Sequence, residues 1–154
     1  MTVAVFALLL ALDVPFFVQE KNGCGAASVA MVMHYWRVPQ PPSLVYQQLY
    51  NTDIGGIPLE AMREFLEKAG LQAFTLRGER ADLERHLALG RPVIVGLRSK
   101  PRAPLHFVVV AGFENEHVHV NDPTRKKAQR VRAARFEKQW ASADRWMLLA
   151  ARRE

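Results

Sequence analysis

Residues 14–28 read VPFFVQEKNGCGAAS and carry Cys24, the one cysteine of the chain, between two glycines. An Ala- and Met-rich apolar run follows, and it predicts a buried helix over residues 25–36 with Cys24 at its N-terminal end. A helix N-terminus presents unpaired N–H groups and about half a positive charge, and both favour a thiolate. Because the thiolate is the nucleophile, this position decides whether the chain is interpreted as an enzyme. A buried structural cysteine is the alternative, since free cysteine is among the most buried residue types.

The length and composition are those of one globular domain. The chain has 154 residues, of which 49% are hydrophobic, so it can bury a core and is unlike a disordered segment. One cysteine can form neither an internal disulfide nor a cysteine-based zinc cluster. We therefore expect no cofactor and no metal, and the single thiol does not identify a cellular compartment.

The net charge of +6 is concentrated near the C-terminus. Residues 125–154 carry ten Lys or Arg and three acidic residues. This region is either a solvated basic surface or a patch for anionic lipid or nucleic acid. No nucleic-acid-binding motif accompanies the charge, so we expect no nucleic-acid partner.

Residues 3–12 form an apolar run, VAVFALLLAL, that is too short to span a bilayer. It resembles the apolar region of a secretion signal, although no Lys or Arg precedes it and no clean cleavage site follows. A buried first strand or helix is the alternative. We therefore separate residues 1–12 from a single domain over residues 13–154. A signal would place the protein outside the cytoplasm or at a membrane, whereas a structural element favours the cytoplasm.

The rest of the chain predicts an α+β fold. Proline, glycine and apolar periodicity predict helices over residues 43–50, with Ser43 as the N-cap, 58–69 and 79–89. Apolar and alternating runs predict strands over residues 71–76, 92–97, 106–113, 116–121 and 145–149. Helices come first and an antiparallel sheet follows, an order that argues against a parallel βαβ fold. Trp140 and Trp146 are assigned to the core.

A nucleophilic cysteine needs a base, and the base needs a group that orients it. His106 is the candidate base, because the strand it opens would hold its ring at a cleft. Asp122 is the candidate orienting residue, since a hairpin of strands 106–113 and 116–121 returns it to the level of His106. The alternatives are a strand-end histidine bonded to backbone and an Asx-Pro turn without catalytic role.

Gln19, five residues before Cys24, is the candidate for the oxyanion hole. Its side-chain NH₂ could pair with the backbone N–H of Cys24 to hold a developing negative charge. An exposed glutamine without a role is the alternative. Each of these candidates is weak alone, but their types, order and spacing together predict a thiol-dependent site.

The motifs that carry this site also resemble a known family. The matching pieces are VP-x₃-Q-x₄-CGAA over residues 14–27, the glycines at 55–56 before a helix, HFVVV over 106–110 and NDP over 121–123. Over roughly residues 13–150 the chain resembles the peptidase C39-like family of papain-like bacterial cysteine peptidases. That family includes the leader-peptide processing domains of bacteriocin exporters.

The resemblance implies a papain-like fold, in which an N-terminal helical half with the nucleophile at a helix N-terminus packs on a C-terminal antiparallel sheet. It implies the nucleophile Cys24, the base His106, its partner Asp122 and the oxyanion residue Gln19. A peptide or protein substrate and association with a membrane or exporter would follow. Exporter-linked members often have Asp before the cysteine, where this chain has Gly23, so cleavage after a double-glycine leader is not implied.

The implied reaction is hydrolysis of a peptide bond through a thioester acyl-enzyme. A transferase or amidase could use the same site with an amine or thiol as the acceptor, because the cleft selects the acceptor. A non-catalytic peptide-binding module that retains the fold is the third interpretation. The sequence does not indicate an oligomeric state.

The other histidines are weaker candidates. His117 and His119 share one strand face, a spacing that can hold a metal but that is more typical of solvent-facing positions. His34 is interpreted as a core histidine with a satisfied ring, and His86 as a helical, exposed residue.

Overall fold

The computed structural model of the protein describes residues 11–154, which contain five helices and six strands. The helices are α1 (Cys24–Tyr35), α2 (Pro42–Leu49), α3 (Leu59–Lys68), α4 (Arg80–Ala88) and α5 (Ala133–Ala141). The strands are β1 (Leu71–Arg77), β2 (Val93–Leu97), β3 (His106–Glu114), β4 (His117–Asn121), β5 (Gln129–Arg132) and β6 (Trp146–Arg152).

The strands form one antiparallel sheet in the order β1-β6-β2-β3-β4-β5, and apolar layers cover both of its faces. Successive side chains of a strand point to opposite faces. On one face Phe107 and Val109 of β3 pack in the core that includes α1, α2 and α3. On the other face Val108 and Val110 pack with α4 and α5. Because both faces are buried, β2 and the interior of β3 have continuous runs of non-polar residues rather than alternating polar and apolar ones.

Helix α1 is the centre of the first layer. Residues 25–33 of this helix are all buried, against α2, α3 and β3. Its small residues allow close packing, since a Cβ on Gly25 would lie 3.1 Å from Met62 Sδ and 3.2 Å from Ile57 Cβ. The helix therefore holds Cys24 in a fixed position beside the end of the sheet.

An extended segment before α1 runs along the sheet. A β-bulge in β3 leaves Ala111 without a partner in β4, and the Ala111 carbonyl accepts a hydrogen bond from Leu12 N at 2.8 Å. The predicted apolar element over residues 3–12 lies outside the described residues except for its last two. No helix within residues 11–154 is both long and apolar enough to cross a bilayer.

The α+β prediction is confirmed, and so are the helix around α1 and the burial of Trp140 and Trp146. The prediction of Ser43 as an N-cap is wrong. Helix α2 begins one residue earlier, at Pro42, with Pro41 as the N-cap, because proline has the φ of a first helical residue and lacks only an N–H that would be unpaired there. The predicted start of α3 at Pro58 is wrong by one residue, because Pro58 has an extended ψ and is the N-cap of a helix that begins at Leu59.

Two elements are not predicted by the sequence patterns, namely β5 and α5. Strand β5 forms the edge of the sheet beside β4, and α5 connects it to β6. The chain therefore does not divide cleanly into helices followed by strands. Helix α5 buries Phe136 and Trp140 against the second face of the sheet.

Two of the remaining histidines have hydrogen-bond partners outside the candidate site. His119 Nε2 lies 2.9 Å from Glu114 Oε2, and His34 Nε2 lies 2.9 Å from the Gln40 carbonyl oxygen. No group of three or more His, Cys, Asp or Glu side chains within residues 11–154 is arranged to hold a metal ion. The prediction that His86 is exposed is wrong, because its ring is partly buried in α4 and this burial lowers its pKa.

Candidate active site

Cys24 is the first residue of α1, and its thiol is half-buried and free. Gly23 is the N-cap, so no side chain caps the helix, and no acidic residue lies in its first turn. The N–H groups at this end therefore have no side-chain acceptor, and the positive end of the helix dipole lies at Cys24. Negative charge on a substrate oxygen beside the sulfur would be stabilised here.

Gly23 is required by a close approach of Tyr46. A Cβ at this position would lie 2.8 Å from Tyr46 Cδ2 and 3.0 Å from the Glu20 carbonyl oxygen. The Tyr46 hydroxyl in turn donates to the Lys21 carbonyl oxygen at 2.9 Å. The ring thus occupies the space of a side chain before the cysteine, which explains why this chain has glycine at that position.

His106 and Asp122 meet at one end of the β3–β4 hairpin. Val109 pairs with Asn121 in the ladder, so Asp122 follows β4 on the same side of the sheet as Val108 and His106. His106 Nε2 and Asp122 Oδ1 are 2.8 Å apart. The bond uses one ring nitrogen and leaves Nδ1 for another partner.

The His106 ring interacts with both Asp122 and Cys24, and this determines its charge. Burial alone would lower the pKa of His106, but hydrogen bonds and charge interactions with Asp122 and Cys24 raise it to about 9. For Asp122, burial raises the pKa, while the bonds from His106 and Thr124 lower it to about 2. Both shifts favour an imidazolium paired with a carboxylate, at a ring that lines the same cleft as Cys24.

Thr124, which is not part of the sequence motifs described above, also fixes the carboxylate. Asp122 Oδ1 accepts hydrogen bonds from Thr124 N at 3.0 Å and from Thr124 Oγ1 at 2.7 Å. The first of these closes an Asx turn. The same carboxylate of Asp122 therefore closes the turn and bonds His106. The two-residue spacing from Asp122 to a hydroxyl residue is the signal that could have predicted this contact.

Asn121 connects the segments that carry the other candidate residues. Its side chain is buried, and its Nδ2 donates to the carbonyl oxygen of Val14 at 2.9 Å. Its Oδ1 accepts from Ala128 N at 2.8 Å. Asn121 thereby holds the extended segment before α1 and the loop after Asp122 in one arrangement.

Gln19 lies in that extended segment, and its backbone N–H donates to the Pro123 carbonyl oxygen at 3.1 Å. The side chain lines the same cleft as Cys24. Its Oε1 is buried and accepts no hydrogen bond from any residue within 11–154. The hydrogen-bonding capacity of this oxygen is therefore not used by the described residues.

The cleft has a volume of about 550 Å³, and residues from both halves of the site line it. Cys24 and Gln19 line it together with the loop at Gly55 and Gly56, and His106 and Leu105 line it from the sheet. A Cβ on Gly55 or Gly56 would meet no atom within 4 Å. The loop therefore leaves open space for an extended chain beside the thiol.

The sequence matches the model of a known protein family. The family model described as Peptidase_C39 like family matches residues 11–146. A search of curated proteins gives no match.

Solved structures share the fold at low sequence identity. A double glycine motif protease from an AMS/PCAT transporter, in complex with the leader peptide, is 24% identical with a TM-score of 0.74, covering 91% of this chain and 92% of that one. A C39-like peptidase from Bacillus anthracis is 17% identical with a TM-score of 0.77, at 95% and 98% coverage. The peptidase domain of Streptococcus ComA, a bifunctional ABC transporter, is 20% identical with a TM-score of 0.70, at 90% and 97% coverage.

Proposed function

The chain belongs to the Peptidase_C39 like family, and from this membership we propose that it is a cysteine peptidase with Cys24 as its nucleophile. The observation that carries the proposal is the His106 ring, which bonds Asp122 at 2.8 Å and lines the same cleft as Cys24. A thiol, an imidazole and a carboxylate in this order are the parts that a covalent acyl-transfer site needs.

The first half of the reaction forms a thioester. His106 holds the proton of the Cys24 thiol, and the sulfur attacks the carbonyl carbon of a peptide bond. The amide of Gln19 and the backbone N–H of Cys24 donate to the oxyanion of the tetrahedral intermediate. His106 then protonates the leaving nitrogen, and the first product departs.

The second half regenerates the thiol. His106, now neutral, takes a proton from water, and the resulting hydroxide attacks the thioester. The carbon–sulfur bond breaks and the acid product leaves. Throughout, Asp122 bonds Nε2 of His106 and stabilises the imidazolium form, which leaves Nδ1 to exchange the proton with the sulfur.

The substrate we propose is a leader peptide or another peptide segment. The cleft is open beside Gly55 and Gly56, which is where an extended backbone could lie near the thiol. Ile54, on the same wall, is 62% exposed and offers an apolar contact to a bound chain. The structural relative in complex with a leader peptide supports this substrate class.

A peptide-library digest tests the proposal. Wild-type protein is incubated with a mixed-sequence peptide library, and new termini are identified by mass spectrometry. We expect cleavage that disappears in Cys24→Ala, with thermal unfolding unchanged because the replaced thiol is small and half-buried. Cleavage that survives in Cys24→Ala would refute Cys24 as the nucleophile.

The same digest separates the alternative functions. Products that all carry an added amine, with none formed by water, would identify a transferase or amidase, since the amine would then replace water as the acceptor. Retained peptides without new termini would identify a non-catalytic binding module. A cleft that is lined by both Cys24 and His106 supports a catalytic site over such a module.

A further inference from the structure

A second cavity adjoins the Cys24 cleft beyond the His106 ring. It has a volume of about 360 Å³ and lies on the α5 side of the sheet, where Val108, Val120 and Phe136 line it. Pro104, His106 and Thr124 line both this cavity and the cleft. A chain that passes the imidazole can therefore continue from one space into the other.

The cavity joins an apolar lining to unpaired positive charge. Arg125 and Arg135 line it, and neither forms an ion pair with any acidic residue within 11–154. Arginine binds carboxylates in a planar, two-pronged geometry. A ligand that places an apolar side chain inside and a carboxylate at the arginines would match both features.

Two other polar groups in the wall fit such a ligand. The single acidic residue in the lining is Asp122, and His106 and Thr124 already bond its carboxylate, so its charge is compensated. Gln129 Oε1 is buried and accepts no hydrogen bond from any residue within 11–154. An N–H group of a bound peptide would satisfy it.

The direction of the reaction determines which part of a substrate lies here. The acyl part of the substrate stays bonded to Cys24, in the cleft with Gln19. The leaving nitrogen must lie within reach of His106, which protonates it. The chain beyond that nitrogen therefore extends past His106, toward the second cavity.

We propose that this cavity is the leaving-group subsite, and that it selects an apolar residue followed by a carboxylate. The carboxylate is either an acidic side chain or the free C-terminus of the leaving peptide. The inference rests on the proposed peptidase function, because it needs an acyl group on Cys24 to define the leaving side.

Acyl transfer to amine acceptors tests the subsite without a known substrate. Acetyl-glycyl-glycine p-nitrophenyl ester acylates the enzyme: the sulfur–carbon bond forms, the ester carbon–oxygen bond breaks, and p-nitrophenolate leaves. An acceptor amine then attacks the thioester. The carbon–nitrogen bond forms, the carbon–sulfur bond breaks, the amine proton passes to His106, and the Cys24 thiolate is restored.

The acceptors are leucine amide, Leu-Lys amide, Leu-Glu amide and Leu-Leu with a free carboxylate. We expect the ratio of aminolysis to hydrolysis to be about tenfold higher for Leu-Glu amide or Leu-Leu than for leucine amide, because each carboxylate can bond an arginine. Leu-Lys amide should be the poorest acceptor. The better of the two acids identifies whether the site takes a side chain or a C-terminus.

Variants connect the selectivity to the cavity. Arg125→Gln and Arg135→Gln should lower the preference for the acids to about that of leucine amide, whereas Arg153→Gln, outside the cavity, has the same change of charge and should preserve it. The p-nitrophenolate burst of each variant verifies an intact nucleophile. Equal use of all acceptors after a normal burst would overturn the subsite alone. A burst no larger than that of Cys24→Ala would overturn the peptidase proposal and the subsite with it.

Discussion

The two sides of the candidate site are built in different ways. On the α1 side, Cys24 is positioned by packing, with Tyr46 against Gly23 and Met62 against Gly25, and no charged side chain caps the helix. On the sheet side, His106 is positioned by charge and hydrogen bonds. Substitutions on the first side should therefore change stability and geometry, whereas those on the second should change protonation and pH dependence.

The largest effect is expected on the sheet side, from Asp122→Asn. The variant removes the charge that stabilises the His106 imidazolium and that selects its tautomer, so we expect kcat/KM on a cleaved peptide to fall by about 10³-fold. The pKa of His106, about 9 in the intact site, should fall at the same time. Peptide kinetics and NMR titration of the histidine ring measure the two effects.

Glu114→Gln is the matched control, because Glu114 forms the same kind of pair with His119 at 2.9 Å but lies outside the site. It should leave kcat/KM unchanged. Equal losses in the two variants would show that the Asp122 effect is not specific to the site.

On the α1 side, Gly23→Ala should destabilise the protein by about 1–3 kcal/mol, because the new Cβ would lie 2.8 Å from the Tyr46 ring. Urea unfolding measures the change. Gly56→Ala is the control, since a Cβ there meets no atom within 4 Å, and should cost far less. Replacing Tyr46 by alanine should reduce the penalty of Gly23→Ala in a double-mutant cycle, and additive effects would contradict the steric explanation.

The charged pair should also make stability depend on pH. The pKa of His106 is raised in the fold, so its contribution is complete below its ordinary value of 6.5 and is lost as the pH rises through about 9. The pKa of Asp122 is lowered, so its contribution is present above its ordinary value of 3.8 and is lost as the pH falls through about 2.

We therefore expect wild type to exceed Asp122→Asn in unfolding free energy by about 1–2 kcal/mol between roughly pH 4 and 6.5, after allowing for the partial exposure of the pair. Urea unfolding across this range and up to pH 10 measures the difference. A constant difference over the whole range would show that the pair does not titrate as the structure implies.

The smallest effect is expected from Thr124→Val. This variant removes the Oγ1 bond to Asp122 Oδ1 but retains the backbone bond, so the carboxylate keeps its place less firmly. Loss of one such bond is worth about 1 kcal/mol, which corresponds to roughly a fivefold loss of kcat/KM. Thr124→Ser, which retains the hydroxyl, should restore most of the activity.

Helix α1 and the strand at His106 are predictable because their signals are local: continuous apolar residues bounded by glycine or proline. Strand β5 is not, since its residues Gln129–Arg132 are mostly polar and its place depends on pairing with β4. Helix α5 buries only two side chains, Phe136 and Trp140, and its other residues are mostly polar, charged or small. Most of the sheet that the two aromatic side chains contact is distant in sequence, so the pattern is weak. The second cavity is partly formed by β5 and α5, so it also could not be predicted from the sequence.

The sequence predicts which residues form the candidate site, but it does not predict the contacts that position them. The types and spacing of Cys24, His106 and Asp122 indicate their chemistry. Two contacts could not be predicted from the sequence: the close approach of Tyr46 to Gly23, and the hydrogen bond from Asn121 to Val14. Each joins residues that are far apart in the chain, so no sequence periodicity indicates it.

The rate of alkylation of Cys24 by iodoacetamide at pH 6 tests the central claim, that an imidazolium beside the thiol activates it. A free thiol, with a pKa of about 8.5, is almost entirely protonated at this pH. We predict that Cys24 in the wild type reacts at least about tenfold faster than glutathione, and that His106→Ala lowers the rate to that of glutathione. A wild-type rate equal to that of His106→Ala and no faster than glutathione would contradict the account and identify Cys24 as a structural cysteine.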